Sequence, residues 1–190
     1  MSQRTPQVHA SNPSEESLQD SHLFDIVKTF NSLPRSPSLP SGLNYNIWHF
    51  SIRHIPLHPP GDILFFVNFV SQFIHIEGPI QYPTTPPTGA YLPQDIQTKA
   101  KCIAPLLLQG FNNKLDVSDP WAPAFAPWAW MTNDRELAKL VGDELKAMGV
   151  DEALCKVEVA TKEQNEQAQE NYCGFVGALT KSVNKGAPKP

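Results

Sequence analysis

ILFFVNFVSQFIHI, residues Ile63–Ile76, is the longest apolar run of the chain, and its pattern fits either one buried helix or a pair of strands. Asp62 before it is a suitable N-cap, and Gly78 followed by Pro79 is a suitable helix end. The run therefore predicts a central helix, with a strand pair as the alternative because β-branched and aromatic residues are frequent. The polar side chains recur at helical spacing and form one stripe: Asn68, Ser71, Gln72 and His75.

On the N-terminal side of this run, the segment NIWHFSIRHI alternates between two kinds of side chain, which predicts a strand. One face carries Trp48, Phe50 and Ile52, and the other carries His49, Ser51 and Arg53. Farther upstream, apolar residues at helical spacing behind Ser21 predict a short amphipathic helix that Pro34 ends.

On the C-terminal side, the pattern predicts three more helices and a second short strand. A helix from Pro93 to Gly110 is expected to kink at Pro105. Residues 133–148 carry a capping-box pattern and the most regular apolar face. The segment LCKVEVAT alternates as a strand does, and a last helix follows over residues 162–183, whose polar first half is expected to face solvent.

These elements predict a small single domain of the α+β class, mainly α, with four to five helices, one or two short strands and long Pro-rich loops. No internal repeat and no βαβ alternation is visible. Residues 1–20 are predicted to form a disordered polar tail, residues 21–183 the globular domain, and residues 184–190 a flexible C-terminal tail.

Composition limits the partners and the compartment. The net charge is −4 without any block of like charge, so the basic surface that nucleic acids require is not expected. No apolar run reaches the roughly 20 residues of a membrane span. Since the N-terminal sequence lacks signal-peptide character, we expect a cytoplasmic protein. Cys102, Cys155 and Cys173 are widely spaced, which predicts free thiols and no zinc site.

No stretch carries a motif specific for a reaction, so whether the chain is an enzyme stays open at this point. His49, His54 and His58 lie within ten residues, but His49 and His54 face opposite sides of the predicted strand. No carboxylate or cysteine stands beside them at ligand spacing, and therefore we expect no metal and no cofactor. His75 and His49 are the candidate acid or base, because imidazole titrates near neutral pH.

Three of the four tryptophans stand in DPWAPAFAPWAW, at Trp121, Trp128 and Trp130. Prolines restrain this segment, which favours packing against the core, and the alternative is an exposed aromatic groove for a ligand or partner. Gln72 is a further candidate for contact with a ligand, although a solvent-facing polar stripe also explains its position.

Two hypotheses follow. The first is a soluble interaction or accessory protein that presents the Trp121–Trp130 segment or the last helix to a protein partner. The alternative is an enzyme or carrier for a small, largely apolar molecule, held in a pocket lined by aromatics and His75. That pocket is expected between the central helix, the Trp48 strand and the proline loop around Tyr82 and Tyr91.

Overall fold

The computed structural model describes residues 15–55, 60–78, 91–117 and 121–186. Its helices and strands are, in chain order, α1 (Glu15–Asn31), β1 (Ile47–Ile55), β2 (Gly61–Val67), β3 (Ile74–Glu77), α2 (Ile96–Asn112), β4 (Ala129–Thr132), α3 (Arg135–Ala147), β5 (Val157–Val159) and α4 (Lys162–Gly186). Short 3₁₀ turns occupy Lys114–Asp116 and Glu152–Leu154.

The two predicted tails lie mostly outside the described residues, which leave out 1–14 and 187–190. Residues 15–20, which were predicted to belong to the tail, form the first turns of α1. At the other end, α4 continues to Gly186, beyond the predicted end at residue 183.

The five strands form one mixed sheet in the order β3-β2-β1-β4-β5. β1, β2 and β3 are an antiparallel meander, whereas β4 lies parallel to β1 and β5 lies parallel to β4. β2 pairs with the last seven residues of β1, from His49 to Ile55, while β4 pairs only with its start, from Ile47 to His49. Within the part of the chain that the structure describes, the second half of β1 therefore has a paired neighbour on one side only.

The predicted helix at Ile63–Ile76 is wrong and the alternative of a strand pair is confirmed, because this stretch contains β2, a turn and β3. Alternate residues of β2 are buried on opposite faces of the sheet: Leu64 and Phe66 lie in one apolar cluster, and Ile63 and Phe65 lie in another. A strand buried on both faces has no polar side to reveal its period of two, and its sequence reads as a continuous apolar run.

The predicted fold class needs the same correction. The chain is α+β, but a five-stranded sheet replaces the mainly α arrangement with one or two strands. The strand that no part of the prediction anticipated is β4, which lies at Ala129–Thr132 in the tryptophan-rich segment. The strand predicted at NIWHFSIRHI is confirmed as β1, and the helices predicted around α2, α3 and α4 are confirmed with small shifts of their ends.

Two apolar clusters lie on opposite faces of the sheet. The larger one joins α1, α2 and α3 to the sheet through fully buried rings that include Phe30, Phe111 and Trp130. The smaller one lies under α4, where Phe65 meets the rings of Tyr172 and Phe175 at centroid distances of 5.6 and 6.0 Å. The described residues therefore form three layers, and among their helices only α4 covers the second face.

Candidate ligand-binding site

An apolar pocket of about 270 Å³ opens on the α1 to α3 side of the sheet, where β1 begins. We call it the Trp48 pocket. Its walls come from the loop before β1, the turn between β2 and β3, and the segment between α2 and β4. The lining residues are Leu39, Pro40, Ser41, Trp48, Ser71, Phe73, Lys114, Leu115, Val117, Ala122, Pro123 and Phe125.

Aromatic rings form much of the pocket wall. Trp48 is 1% exposed, and its ring packs near those of Phe73 and Phe125, with centroids 6.0 and 6.3 Å away. The indole N–H of Trp48 donates to Asn46 Oδ1 at 2.9 Å, so the only polar atom of this ring is already paired. The ring therefore contributes apolar surface to the pocket.

Asn46 joins the loops that flank the pocket. Its side chain is fully buried, and its Nδ2 donates to the carbonyl oxygens of Ser36 at 2.8 Å and Ala126 at 2.9 Å. The backbone carbonyl oxygen of Asn46 accepts a hydrogen bond from the backbone N–H of Trp128 at 2.7 Å. A buried amide that is bonded on every side holds these irregular segments in one arrangement, so the pocket exists before any ligand arrives.

Strained backbone lies at the rim of the same pocket. Among the described residues, three other than glycine have positive φ: Lys114 at 55°, Leu115 at 52° and Gln72 at 56°. Two of them line the pocket, and the third stands between the lining residues Ser71 and Phe73. The left-handed region costs such residues roughly 1 kcal/mol or more each, and strain of this kind tends to cluster at ligand sites.

Asn68 stabilises the turn that carries Gln72. Its Oδ1 accepts from the backbone N–H of Val70 at 3.2 Å and of Ser71 at 2.9 Å, and also from the Ser71 hydroxyl at 3.0 Å. Its Nδ2 donates to the carbonyl oxygens of Tyr45 and Ile47. The residue that was assigned to a helical polar stripe thus connects the β2–β3 turn to the start of β1.

The three clustered tryptophans occupy different environments. Trp130 is fully buried in β4, stacks on Phe30 with centroids 6.2 Å apart, and donates its indole N–H to Leu154 O at 2.9 Å. Trp121 is 90% exposed and directly precedes the lining residue Ala122. The packing prediction is therefore confirmed for Trp130, and it is wrong for Trp121.

Trp128 is 42% exposed and lies beneath the side chain of Arg35. The guanidinium carbon of Arg35 is 4.5 Å from the ring centroid, and the same group donates to the carbonyl oxygens of Trp128 at 2.5 Å and Ala153 at 3.0 Å. This cation–π contact and the hydrogen bonds attach the tryptophan-rich segment to the loop that follows α1. Trp128 therefore serves the packing of two loops.

His75, a candidate acid or base, lies on β3 and is 5% exposed. Its Nε2 is 2.9 Å from Glu77 Oε1, and its ring packs near Phe66. Both side chains lie against Gly110 of α2, where a Cβ atom would be 3.3 Å from His75 Nε2 and from Glu77 Oε1. His75 is absent from the lining of the Trp48 pocket. The structure therefore does not place His75 in the same pocket as the aromatic residues, contrary to the prediction.

Although the backbone of Gln72 lies at the rim of the Trp48 pocket, Gln72 does not belong to its lining, and neither does Tyr91 of the predicted loop. Gln72 lines a shallow polar depression against α4 together with Asn171 and Phe175. Tyr91 stacks on His54 with ring centroids 5.7 Å apart, and Tyr82 lies outside the described residues.

His49, the other histidine candidate, lies on the opposite face of the sheet from the Trp48 pocket and is 1% exposed. Its Nε2 is 3.3 Å from Asn165 Oδ1 of α4, and its Nδ1 has no hydrogen-bond partner among the described residues. Burial, opposed by the Asn165 contact and assisted by the charge of Arg53, lowers the pKa of His49 from 6.5 to about 4. The imidazole is therefore neutral at physiological pH.

Sequence reasoning had named Trp48 and the Ile63–Ile76 segment, which contributes Ser71 and Phe73, as walls of a pocket, but it missed the walls on either side. Leu39, Phe73, Leu115 and Phe125 come from loops that are far apart in sequence, and no local pattern indicates that they meet. The available signal was indirect: long loops without secondary structure in a compact domain often border a binding site.

Within the described ranges, no group of three or more histidine, cysteine or acidic side chains is arranged to hold a metal ion. None of the helices in those ranges combines the length and apolar character of a membrane-crossing segment.

A scan against models of protein families, a search of curated proteins and a search of solved structures each found no match to this chain.

Proposed function

We propose that the protein binds a small, largely apolar molecule in the Trp48 pocket. The observation that carries this proposal is a preformed apolar cavity with left-handed residues concentrated at its rim. Loops that merely cover a core can relax such strain, whereas a ligand site retains it when the strained conformation shapes the cavity.

The size and chemistry of the pocket define the class of ligand. Its volume of about 270 Å³ lies just below the usual range of about 300–1,000 Å³ for ligand pockets, which suits a single aromatic ring or a short alkyl chain. The hydroxyls of Ser41 and Ser71 and the ammonium of Lys114 are the polar groups in the described lining. We therefore expect a molecule with an apolar body and one polar end.

Tryptophan fluorescence tests the proposal directly. In a Trp121→Phe/Trp128→Phe double variant both exposed indoles are gone, and Trp48 and Trp130 remain. We expect titration with one-ring aromatics and short-chain alcohols or acids to change the emission for at least one ligand class, because the ligand would contact Trp48. A panel that leaves the emission unchanged would contradict the proposal.

Two variants in which an alanine is replaced by phenylalanine provide the control. Ala122 lines the pocket, while Ala124 lies two residues away, is similarly half-buried and does not line it. Ala122→Phe should fill the cavity and raise the Kd by about tenfold or more, equivalent to about 1.4 kcal/mol. Ala124→Phe should leave the Kd nearly unchanged. Equal effects of both substitutions would place the ligand elsewhere.

A second candidate function is binding of an apolar segment of a protein partner across the pocket mouth. It is favoured by the exposure of Trp121, together with that of Phe73 and Val117 on the lining itself. Exposed tryptophan beside an apolar cavity is typical of interface hot spots. Peptides selected from a random library for binding to this protein should no longer bind the Trp121→Ala variant and should still bind the Trp128→Ala variant. Peptides that bind Trp121→Ala but not Trp128→Ala would exclude this surface.

We further propose a cytoplasmic location. Cys102, Cys155 and Cys173 are all free in the structure, and free thiols fit a reducing compartment. Localisation of a tagged chain by fluorescence microscopy tests this proposal.

A further inference from the structure

A second, polar cavity lies on the α4 side of the sheet and originates in the short length of β4. That strand ends at Thr132, whereas β1 continues beyond its pairing with β4 to Ile55. The space left beside the second half of β1 is a crevice of about 510 Å³ between the sheet and α4. Each residue of its described lining carries a polar or charged side chain: Arg53, Asn133, Lys162, Asn165, Glu166 and Gln169.

Arg53 is a positively charged residue of this crevice, and the side chains that hold its guanidinium in place are uncharged. Its Nε donates to Ser51 Oγ at 2.9 Å, and its Nη1 donates to Gln169 Oε1 at 2.5 Å. The guanidinium carbon stands 5.0 Å from the ring centroid of Tyr172. These three contacts orient the planar group, and its Nη2 forms no hydrogen bond with any residue that the structure describes.

The guanidinium is half-buried, and burial lowers the pKa of Arg53. Among the residues that the structure describes, no carboxylate lies within ion-pair distance of it. A partly desolvated cation is costly unless it is paired, so an anion that enters the crevice recovers an interaction that the folded chain does not supply.

The remaining charges of the crevice indicate what kind of anion fits. Lys162 and Glu166 form an exposed ion pair at 3.7 Å and offset each other. Arg53 therefore contributes one unit of unbalanced positive charge. A monoanion matches this charge, whereas a phosphate dianion would approach Glu166 with an excess negative charge.

We propose that this Arg53 crevice binds a small organic carboxylate. The planar guanidinium matches the geometry of a carboxylate group, and Asn133, on the same lining, carries an amide that can hydrogen-bond a hydroxyl of the ligand. The crevice and the Trp48 pocket lie on opposite faces of the sheet, so this inference stands independently of the proposed function.

The first experiment uses the unmodified chain. NMR detection of the Arg53 Nε–H signal during titration with lactate should show a saturable shift. Lactamide, which has the same shape without the charge, should leave the signal in place, as should an equal concentration of chloride. A signal that ignores lactate, or that moves equally with lactamide or chloride, would overturn the proposal.

Substitutions then locate the site, with affinity measured by calorimetry. Arg53→Gln should raise the Kd for lactate at least about tenfold, and Arg53→Lys should fall between this variant and the original chain because it keeps the charge without the planar fork. Lys139→Gln, which removes the same charge from the exposed surface of α3, is the matched control and should change the Kd less than about twofold.

Two results would overturn the assignment. One is an equal loss of lactate affinity in Arg53→Gln and Lys139→Gln, which would reduce the effect to general electrostatics. The other is tighter binding of inorganic phosphate than of lactate, which would contradict the choice of a carboxylate. Because the NMR titration needs no substitution, a folding defect in Arg53→Gln would leave the test intact.

Discussion

Acidification should destabilise this protein through one buried side chain, His49. The Oδ1 of Asn165 can only accept a hydrogen bond, so the neighbouring Nε2 of His49 carries the hydrogen, and Nδ1 is the unprotonated nitrogen. Protonation would add a second N–H at Nδ1, which has no acceptor among the described residues. The added charge would also lie near the guanidinium of Arg53.

The size of the effect follows from the pKa of His49, which burial lowers from 6.5 to about 4. Between these two values the unfolded chain binds a proton that the folded chain does not, so stability falls as the pH decreases through this window. Relative to pH 7, the loss should be about 2 kcal/mol at pH 5 and about 3 kcal/mol at pH 4, at about 1.36 kcal/mol per pKa unit. Above pH 6.5 the contribution is complete.

Urea denaturation at pH 7, 6, 5 and 4 measures this loss against the variant His49→Gln, which keeps a donor for Asn165 and removes the titration. Carboxylates that titrate in the same window affect both chains and cancel in the difference. We expect the variant to be less stable than the original chain at pH 7 and to approach or exceed its stability near pH 4.

Parallel losses of stability in the two chains between pH 7 and pH 4 would refute the reasoning. An NMR titration of the His49 ring in the original chain supplies an independent reading. A ring that titrates near 6.5 in the folded protein would show that burial does not control its protonation.

Two further predictions concern the fold. Gly142→Ala should destabilise the fold by about 1–3 kcal/mol, because its Cβ would lie 2.6 Å from the carbonyl oxygen of Cys155. At Gly174 an added Cβ meets nothing within 4 Å, so Gly174→Ala should stabilise α4 by about 0.5–1 kcal/mol. Thermal unfolding measures both changes. Asn68→Ala should cost about 2–4 kcal/mol in urea unfolding, since it removes both the acceptor of the β2–β3 turn and the donor to Tyr45 and Ile47.

The sequence predicted those elements whose two faces differ in polarity. β1 was recognised because Trp48 and Phe50 alternate with His49 and Ser51. α3 was recognised because its apolar face is regular, although its N-cap is Asp134 and not Asn133 or Thr132, as the sequence suggested. β2 was misread because both of its faces are buried, which removes the alternation. β4 was missed because only four residues form it, inside a segment whose prolines indicate a loop.

The candidate pocket was less predictable than the fold. Trp48 belongs to a periodic element, but its neighbours in the pocket lie on loops that meet through buried amides such as Asn46 and Asn68. Which loop carbonyl an amide will bond depends on the folded path of the chain, and no spacing rule encodes it. The single informative feature was the density of prolines, which indicated long, stiff loops without showing where they converge.

The polar first half of α4 is largely exposed, as the sequence predicted, but it also contacts the sheet. Asn165 contacts His49, Gln169 contacts Arg53, and Tyr172 donates to the carbonyl oxygen of His54 at 2.5 Å. The polar face of β1 and the polar half of α4 thus cover each other. Polar groups that meet across a layer must find partners, since each unpaired one costs free energy. The arrangement positions Arg53 without neutralising it, and for this reason we regard this interface, rather than the apolar core, as the place where an anion is recognised.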